Sequence, residues 1–447
     1  MAFDFDYIVV GSGFGGSVAA LRLTEKGYSV AVLEAGRRFG PGDFARTNWN
    51  LRRWLWAPAL GCYGIQRLTL LDDVLILSGA GVGGGSLVYA NTLLVPPRPF
   101  FEDPQWKELD EDWQKTLEPF FATAKRMLGV ARNPRLGRAD EALYDYARQL
   151  GREQHFQATE VGVFFGEPGV EVPDPYFGGE GPARRGCDQQ GHCIVGCRNG
   201  GKNSLDRNYL YLAEKKGCRL FPDSTVVDIV PLDGGGYRVV SRRTSGLFVH
   251  PRRARTARSV VLAAGTLGTN ELLLGARARG RLPRLSPRLG RLVRTNSEVL
   301  NGVVARGDDH DYSKGIAITS SLFVDEVTHV EPVRYPAGSD VMALLATLMV
   351  DGGGRLPRWL RWIGTALRHP RRFLRTLWPF GWARRAVICL VMQTLDNHIE
   401  LQLRRRWWWP FRRRLTSTAS GGRAPTYIPQ GNEAARALAL RLDGEPR

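Results

Sequence analysis

The stretch from Tyr7 to Glu34 constrains this chain more than any other. Tyr7-Ile8-Val9-Val10 is an apolar strand, Gly11-Ser12-Gly13-Phe14-Gly15-Gly16 a glycine turn, and Ser17 to Lys26 has helical periodicity. Gly27 stops that helix, and Ser29 to Glu34 forms a second strand, which completes a βαβ unit. In such a unit the first glycine permits the tight turn, the second lets a pyrophosphate approach the backbone, and the third lets helix and strand pack closely. The helix N-terminus then offers orphan N–H groups and a favourable dipole to the phosphates. Gly11, Gly13, Gly16 and Glu34 are therefore candidate dinucleotide-binding residues, with Glu34 at the ribose hydroxyls. The carboxylate disfavours a 2′-phosphate and hence NADP, leaving FAD or NAD.

With 447 residues the chain exceeds the size at which one core stops growing, so two interleaved domains are expected. The charge of +18 arises from 62 Lys and Arg against 44 Asp and Glu. Its scattered arginines read as a solvated surface, and nucleic acid is not expected as a partner. Three of the six cysteines, Cys187, Cys193 and Cys197, are too crowded for a disulfide framework, which points to a reducing compartment. The acidic start at Asp4 and Asp6 does not resemble a secretory signal. Val341 to Val350 falls well short of the roughly 20 residues of a spanning helix, so the expected location is cytoplasmic.

Further along, Ser78 to Asn91 holds a second glycine cluster, dense enough for backbone to lie against a flat ring, and this selects FAD over NAD. Apolar spacing predicts amphipathic helices over 110–132 and 138–149. Strands are expected at 220–230, 237–242 and 247–250, with a turn at Asp233-Gly234-Gly235-Gly236, and a further strand at 259–264 precedes Gly265 and a helix over 270–278. Strands are expected to predominate from Val299 to Val350, followed by a basic, aromatic region over 355–414 and a helix over 434–447.

In the order and spacing of Asp6 to Gly36, Gly79 to Leu93, Cys187 to Glu214, Ser259 to Leu274 and Ile316 to Asp340, the chain resembles the glucose-methanol-choline (GMC) oxidoreductases, in their cholesterol oxidase-like branch. The resemblance implies an α/β fold: a three-layer, Rossmann-like FAD domain interleaved with an α+β substrate domain on an antiparallel sheet. The corresponding boundaries are 1–95 and 161–295 for the FAD domain, 96–160 for a helical insertion and 296–447 for the substrate domain. It further implies that Gly83, Gly84, Ser86 and Asn91 lie near the isoalloxazine and pyrophosphate, Val226 or Val227 beside the adenine, and Ala264, Gly265 and Asn270 over the dinucleotide. The implied reaction oxidises an alcohol of a sterol or other bulky apolar substrate, with hydride transfer to flavin N5 and dioxygen or another acceptor reoxidising the flavin. Isomerisation to a conjugated enone would use a carboxylate, for which Asp340 and Glu331 are the candidates.

The sequence also departs from the family pattern. The last histidine, His398 in Asp396-Asn397-His398-Ile399-Glu400, does not match the catalytic segment, so a C-terminally incomplete chain is expected, with a non-catalytic binding or electron-relay module as the alternative. Cys187, Cys193 and Cys197, with His192 beside them, are candidate ligands for an iron-sulfur cluster or zinc, against a cysteine-rich loop packed near the flavin. Arg404 to Arg414 and the Trp359 to Trp382 region join arginine to tryptophan, as surfaces in peripheral membrane contact do; burial in the substrate domain is the alternative.

Overall fold

The computed structural model describes residues 2–447 apart from 108, 110, 111, 247, 248, 354, 407, 408, 420–424 and 426. Its first sheet is built around β1 (Phe5–Val10) and β2 (Val30–Leu33), joined by α1 (Phe14–Glu25). All four residues of β2 are buried and apolar, as suits a parallel strand covered on both faces. β1 pairs in parallel with β2, Tyr7 opposite Val30, and with a late strand, Tyr7 opposite Ser259.

A hairpin and several helices separate these neighbours in sequence. β3 (Gln66–Leu70) and β4 (Leu75–Gly79) lead into the second glycine cluster, and α2 (Trp113–Met127) and α3 (Arg138–Gln149) follow before β5 (Phe156–Ala158). α4 (Tyr209–Lys215) then returns the chain to the first sheet through β6 (Arg219–Phe221), β7 (Ser224–Pro231), β8 (Tyr237–Arg243) and β9 (Arg252–Leu262). The strand order is β6-β2-β1-β9-β8-β7. Alternate residues enter different layers: Val9, Val30 and Val32 pack with Leu21 and Leu210, whereas Ile8, Val10 and Leu33 pack with Val239 and Leu272. The dinucleotide-binding half is thus a three-layer α/β domain.

α5 (Gly265–Ala278) starts at the residue after Ala264, earlier than periodicity predicts; Gly265 has φ +67°, a left-handed conformation that glycine adopts without strain. Of the strand expected at 247–250, Leu247 and Phe248 lie outside the described residues and His250 is in a loop; β9 begins at Arg252. The expected start of α2 at Asp110 also lies outside them, and Asp112 caps the observed helix through the Lys115 N–H.

The second sheet is antiparallel. It comprises β10 (Glu298–Ala305), β11 (Ser320–Phe323), β12 (Thr328–Val333) and β13 (Ala386–Gln393), with β5 at one edge. Between β12 and β13 lie α6 (Arg358–Arg368) and α7 (Pro370–Thr376). A hairpin of β14 (Ile399–Arg406) and β15 (Trp409–Ala419) follows; Trp407 and Trp408 of the basic aromatic run lie outside the described residues. The final helix, α8, spans Pro429–Arg441 rather than 434–447, since Pro429 occupies its first turn and the chain leaves it to form β16 (Gly444–Pro446) against β10.

α3 and α8 cover one face of this sheet, burying Leu143, Tyr146 and Leu438 against Val303, Val330 and Val391. α3 is pinned there by buried Asp140, which accepts hydrogen bonds from Thr319 Oγ1 (2.6 Å), Ser320 Oγ (2.5 Å) and the Gly137 N–H (2.7 Å). The opposite face carries the candidate substrate site.

Candidate active site

The first glycine turn is built so that side chains have no room where backbone must meet backbone. A Cβ on Gly16 would stand 2.0 Å from the Gly11 carbonyl oxygen, and one on Gly11, which has φ +99°, 2.4 Å from that of Ala263. A Cβ on Gly13 would meet nothing within 4 Å, so open space lies before α1. Gly13 caps that helix without a side-chain hydrogen bond, leaving the N–H groups of the first turn directed at this space.

The second cluster closes on the first. A Cβ on Gly84 would lie 2.7 Å from the Gly13 Cα, and the Gly83 N–H donates to Ser12 Oγ at 3.1 Å. Ser12 Oγ in turn donates to Glu34 Oε2 at 2.7 Å, while the backbone N–H groups of Ser12 and Gly36 donate to the same carboxylate at 3.0 and 2.8 Å. Three donors leave part of a carboxylate's acceptor capacity free for ribose hydroxyls. Ser12, which sequence reasoning passed over, therefore ties both glycine segments to Glu34.

Ser86 Oγ donates to the Gly83 carbonyl (2.7 Å) and accepts from the Leu205 N–H (3.0 Å), which fixes the short turn after Gly84. Asn91 has φ +74° and is fully buried, and neither atom of its amide has a hydrogen-bond partner. Burying such a group uncompensated is costly, so the amide is poised for a ligand. Beneath this segment runs Lys202, also missed in the sequence. Its ammonium is buried and donates to the carbonyls of Leu87 (3.0 Å), Tyr89 (2.8 Å) and Cys193 (2.7 Å), 4.6 Å from the Tyr89 ring centre. Burial draws its pKa down to about 8. A positive charge on the Tyr89 carbonyl polarises the peptide to Ala90 and firms the Tyr89–Asn91 backbone.

Ala264 and Gly265 sit at the start of α5, alongside the Gly11 turn. Asn270, one turn on, donates to the Thr266 carbonyl and leaves its Oδ1 unpartnered. Val227 lies at a bulge in β7, its carbonyl bonded by Arg279. The open space before α1, the uncapped N–H groups and the unpartnered Asn91 amide together fit a dinucleotide with a flat ring at its far end.

On the second sheet, Glu331 and His329 of β12 share the face turned away from α3 and α8. Across the strands, Glu331 stands beside Leu390 and Leu300, and His329 beside Met392 and Glu298. Leu300 is 45% exposed although it is apolar, so this end of the face is open. Glu331 is buried; desolvation, reinforced by the charge of Glu298, raises its carboxyl pKa to about 8. Burial lowers His329 to about 4, so the imidazole is neutral. Leu390 and Val333 belong to the same apolar cluster as Ala90 and Cys193, which joins the Glu331 face to the second glycine segment.

Asp340 is placed differently. Its carboxylate accepts from the N–H groups of Ala383 (2.7 Å) and Gly381 (3.1 Å), anchoring the turn before β13. The metal reading of the cysteines is corrected: among the described residues no three His, Cys, Asp or Glu side chains are arranged to hold a metal ion. Cys193 lies in the apolar cluster, and burial pushes the Cys187 thiol up to about 12, so it is not a thiolate.

The geometry is that of a dinucleotide-binding α/β protein. Comparison with known proteins is specific. The family model for GMC oxidoreductases matches residues 183–286, and that for an NAD(P)-binding Rossmann-like domain matches 9–48. A cholesterol oxidase of Mycobacterium tuberculosis is 50% identical across 99% of this chain and 78% of the relative. One of Acinetobacter baumannii is 44% identical across 99% of this chain and 81% of the relative. The fold is similar to that of pyridoxine 4-oxidase from Mesorbium loti, with a TM-score of 0.55 at 14% identity over 98% of this chain and 79% of that one. The chain belongs to the GMC oxidoreductase family, in its cholesterol oxidase-like branch. It is an FAD-dependent enzyme that oxidises an alcohol, rather than a non-catalytic module.

Proposed function

We propose that the alcohol is that of a sterol or another bulky apolar molecule, taken from a membrane, with dioxygen or another acceptor as the final oxidant. Glu331 carries the reading: a buried carboxyl on a sheet face whose open end is lined by Leu300, Leu390 and Met392. When bound, FAD supplies the two-electron acceptance. Gly11, Gly13, Gly16 and Glu34 would hold its ADP half, and Val227, Ala264, Gly265 and Asn270 would contribute to the same site. Gly83, Gly84, Ser86 and Asn91 would hold its ring end, and Lys202 stiffens the backbone from Leu87 to Asn91.

Oxidation of a 3-hydroxy sterol with a neighbouring double bond leaves a ketone separated from the alkene by one carbon. The Glu331 carboxylate takes a proton from that carbon and returns it at the far alkene carbon, giving the conjugated enone without further redox change. A pKa near 8 suits a group that must both accept and release a proton near neutral pH. Asp340, held by two backbone amides, is not assigned this role. The test is product analysis with Glu331→Gln: flavin reduction by the sterol is retained while the unconjugated ketone accumulates. Conjugated product at the wild-type rate would refute the assignment.

A further inference from the structure

Between Asp351 and Asp396 the chain contains nine arginines and neither Asp nor Glu. The first part of this stretch folds as α6 and α7, and neither helix buries a residue. One side of α6 is tied to the protein: Arg361 donates to the Asp351 and Gly352 carbonyls, and Trp362 Nε1 to Thr347 Oγ1 at 2.9 Å. Trp362 also meets Phe373 of α7 edge to face at 5.5 Å, which sets the two helices against each other.

The other side is apolar and open. Trp359, Ile363 and Leu367 recur every four residues along α6, and Leu374 of α7 with Leu377 and Trp378 just past its end are likewise exposed; Leu367 is 76% and Trp378 66% exposed. Single exposed leucines need no explanation, whereas six exposed large apolar side chains within twenty residues mark a contact surface. Arg355, Arg368, Arg371, Arg372 and Arg375 flank it and are exposed. Two copies of this chain meeting through this surface would set one arginine-rich face against another, which disfavours self-association. Tryptophan at headgroup depth with arginine reaching to phosphate is the chemistry of an anionic bilayer surface.

We propose that the α6–α7 pair docks the enzyme on anionic lipid bilayers, its exposed apolar side chains entering the headgroup boundary and its arginines pairing with lipid phosphates. The inference deepens the reading of a membrane-borne substrate and rests on it.

The test is co-sedimentation of the FAD-loaded protein with vesicles of phosphatidylcholine alone and of phosphatidylcholine with phosphatidylglycerol. Preferential binding to the anionic vesicles, weakened by salt, is expected. Arg368→Gln/Arg371→Gln/Arg372→Gln together should weaken it roughly a hundredfold, at about fivefold per arginine. Leu367→Ser/Trp378→Ser should abolish sedimentation, and both variants should keep wild-type flavin content and thermal midpoint. No binding, equal binding to both vesicles, binding indifferent to both sets of substitutions, or self-association broken by the serine pair in place of lipid binding would each overturn the proposal. Oxidation of detergent-dispersed sterol, measured separately, reports on the substrate reading independently of docking.

Discussion

Glu331 Oε1 lies 4.0 Å from His329 Nε2, and both atoms are buried without a hydrogen-bond partner. The approach is not an ion pair, because desolvation keeps the imidazole neutral and the carboxyl protonated at neutral pH. Between the ordinary value of 4.5 and about 8 the folded protein holds a proton that the unfolded chain has released. Stability from this group is therefore complete below the lower value and is lost as pH rises through the upper one, by about 1.4 kcal/mol per pH unit at most. Glu331→Gln should remove that loss, so its thermal midpoint should exceed that of wild type at pH 9 and converge with it near pH 5. Parallel pH profiles for the two proteins would contradict the raised pKa.

The same group sets a kinetic expectation. Enone formation from the unconjugated ketone should rise with pH to a plateau above about 8, since only the carboxylate accepts a proton. Stopped-flow measurement of that step across pH 6–10 checks it, and a flat profile would argue for another base.

Gly13 and Gly16 separate cofactor binding from folding. Gly16→Ala forces a methyl group against the Gly11 carbonyl and should cost roughly 1–3 kcal/mol of stability. Gly13→Ala meets open space, so stability should stay within about 0.5 kcal/mol. Its methyl group would occupy the approach to the first turn of α1, and FAD affinity should fall roughly tenfold, about 1.4 kcal/mol. Urea unfolding of the apoprotein and flavin titration measure the two effects; equal loss of stability in both variants would contradict the account.

Lys202→Met leaves the Leu87, Tyr89 and Cys193 carbonyls without their shared donor. Unmet buried groups cost about 1–3 kcal/mol each, so the thermal midpoint should drop by several degrees and bound FAD should lose affinity and show an altered visible spectrum. An unchanged spectrum and midpoint would mean that Lys202 does not support the Tyr89–Asn91 backbone.

Much of the cofactor half was legible because its constraints are local. Gly11, Gly13, Gly16 and Glu34 fall within one βαβ unit, where strand periodicity, glycine spacing and the acidic strand end all point the same way. Ser12 and Lys202 were not legible, since their roles depend on partners far away in sequence: Gly83 for one, Leu87 and Tyr89 for the other. The same holds for Glu331 and Asp340. Both carboxylates are buried, and only the backbone amides of Gly381 and Ala383 tell the anchor from the open group. The cysteine spacing misled because Cys187 and Cys193 meet within one apolar cluster, while among the described residues no three His, Cys, Asp or Glu side chains are arranged to hold a metal ion. In the basic aromatic region, composition indicated a surface, but the division of α6 into an anchored and an open side needed the contacts of Arg361 and Trp362.

The most direct test is anaerobic titration of the FAD-loaded protein with a sterol bearing a 3-hydroxyl group, alongside simple short-chain alcohols. Stoichiometric loss of the oxidised-flavin absorbance with the sterol, recovery on admitting dioxygen and little response to the short alcohols are predicted. An oxidised spectrum that persists with saturating sterol, or reduction by the short alcohols alone, would contradict the proposed function.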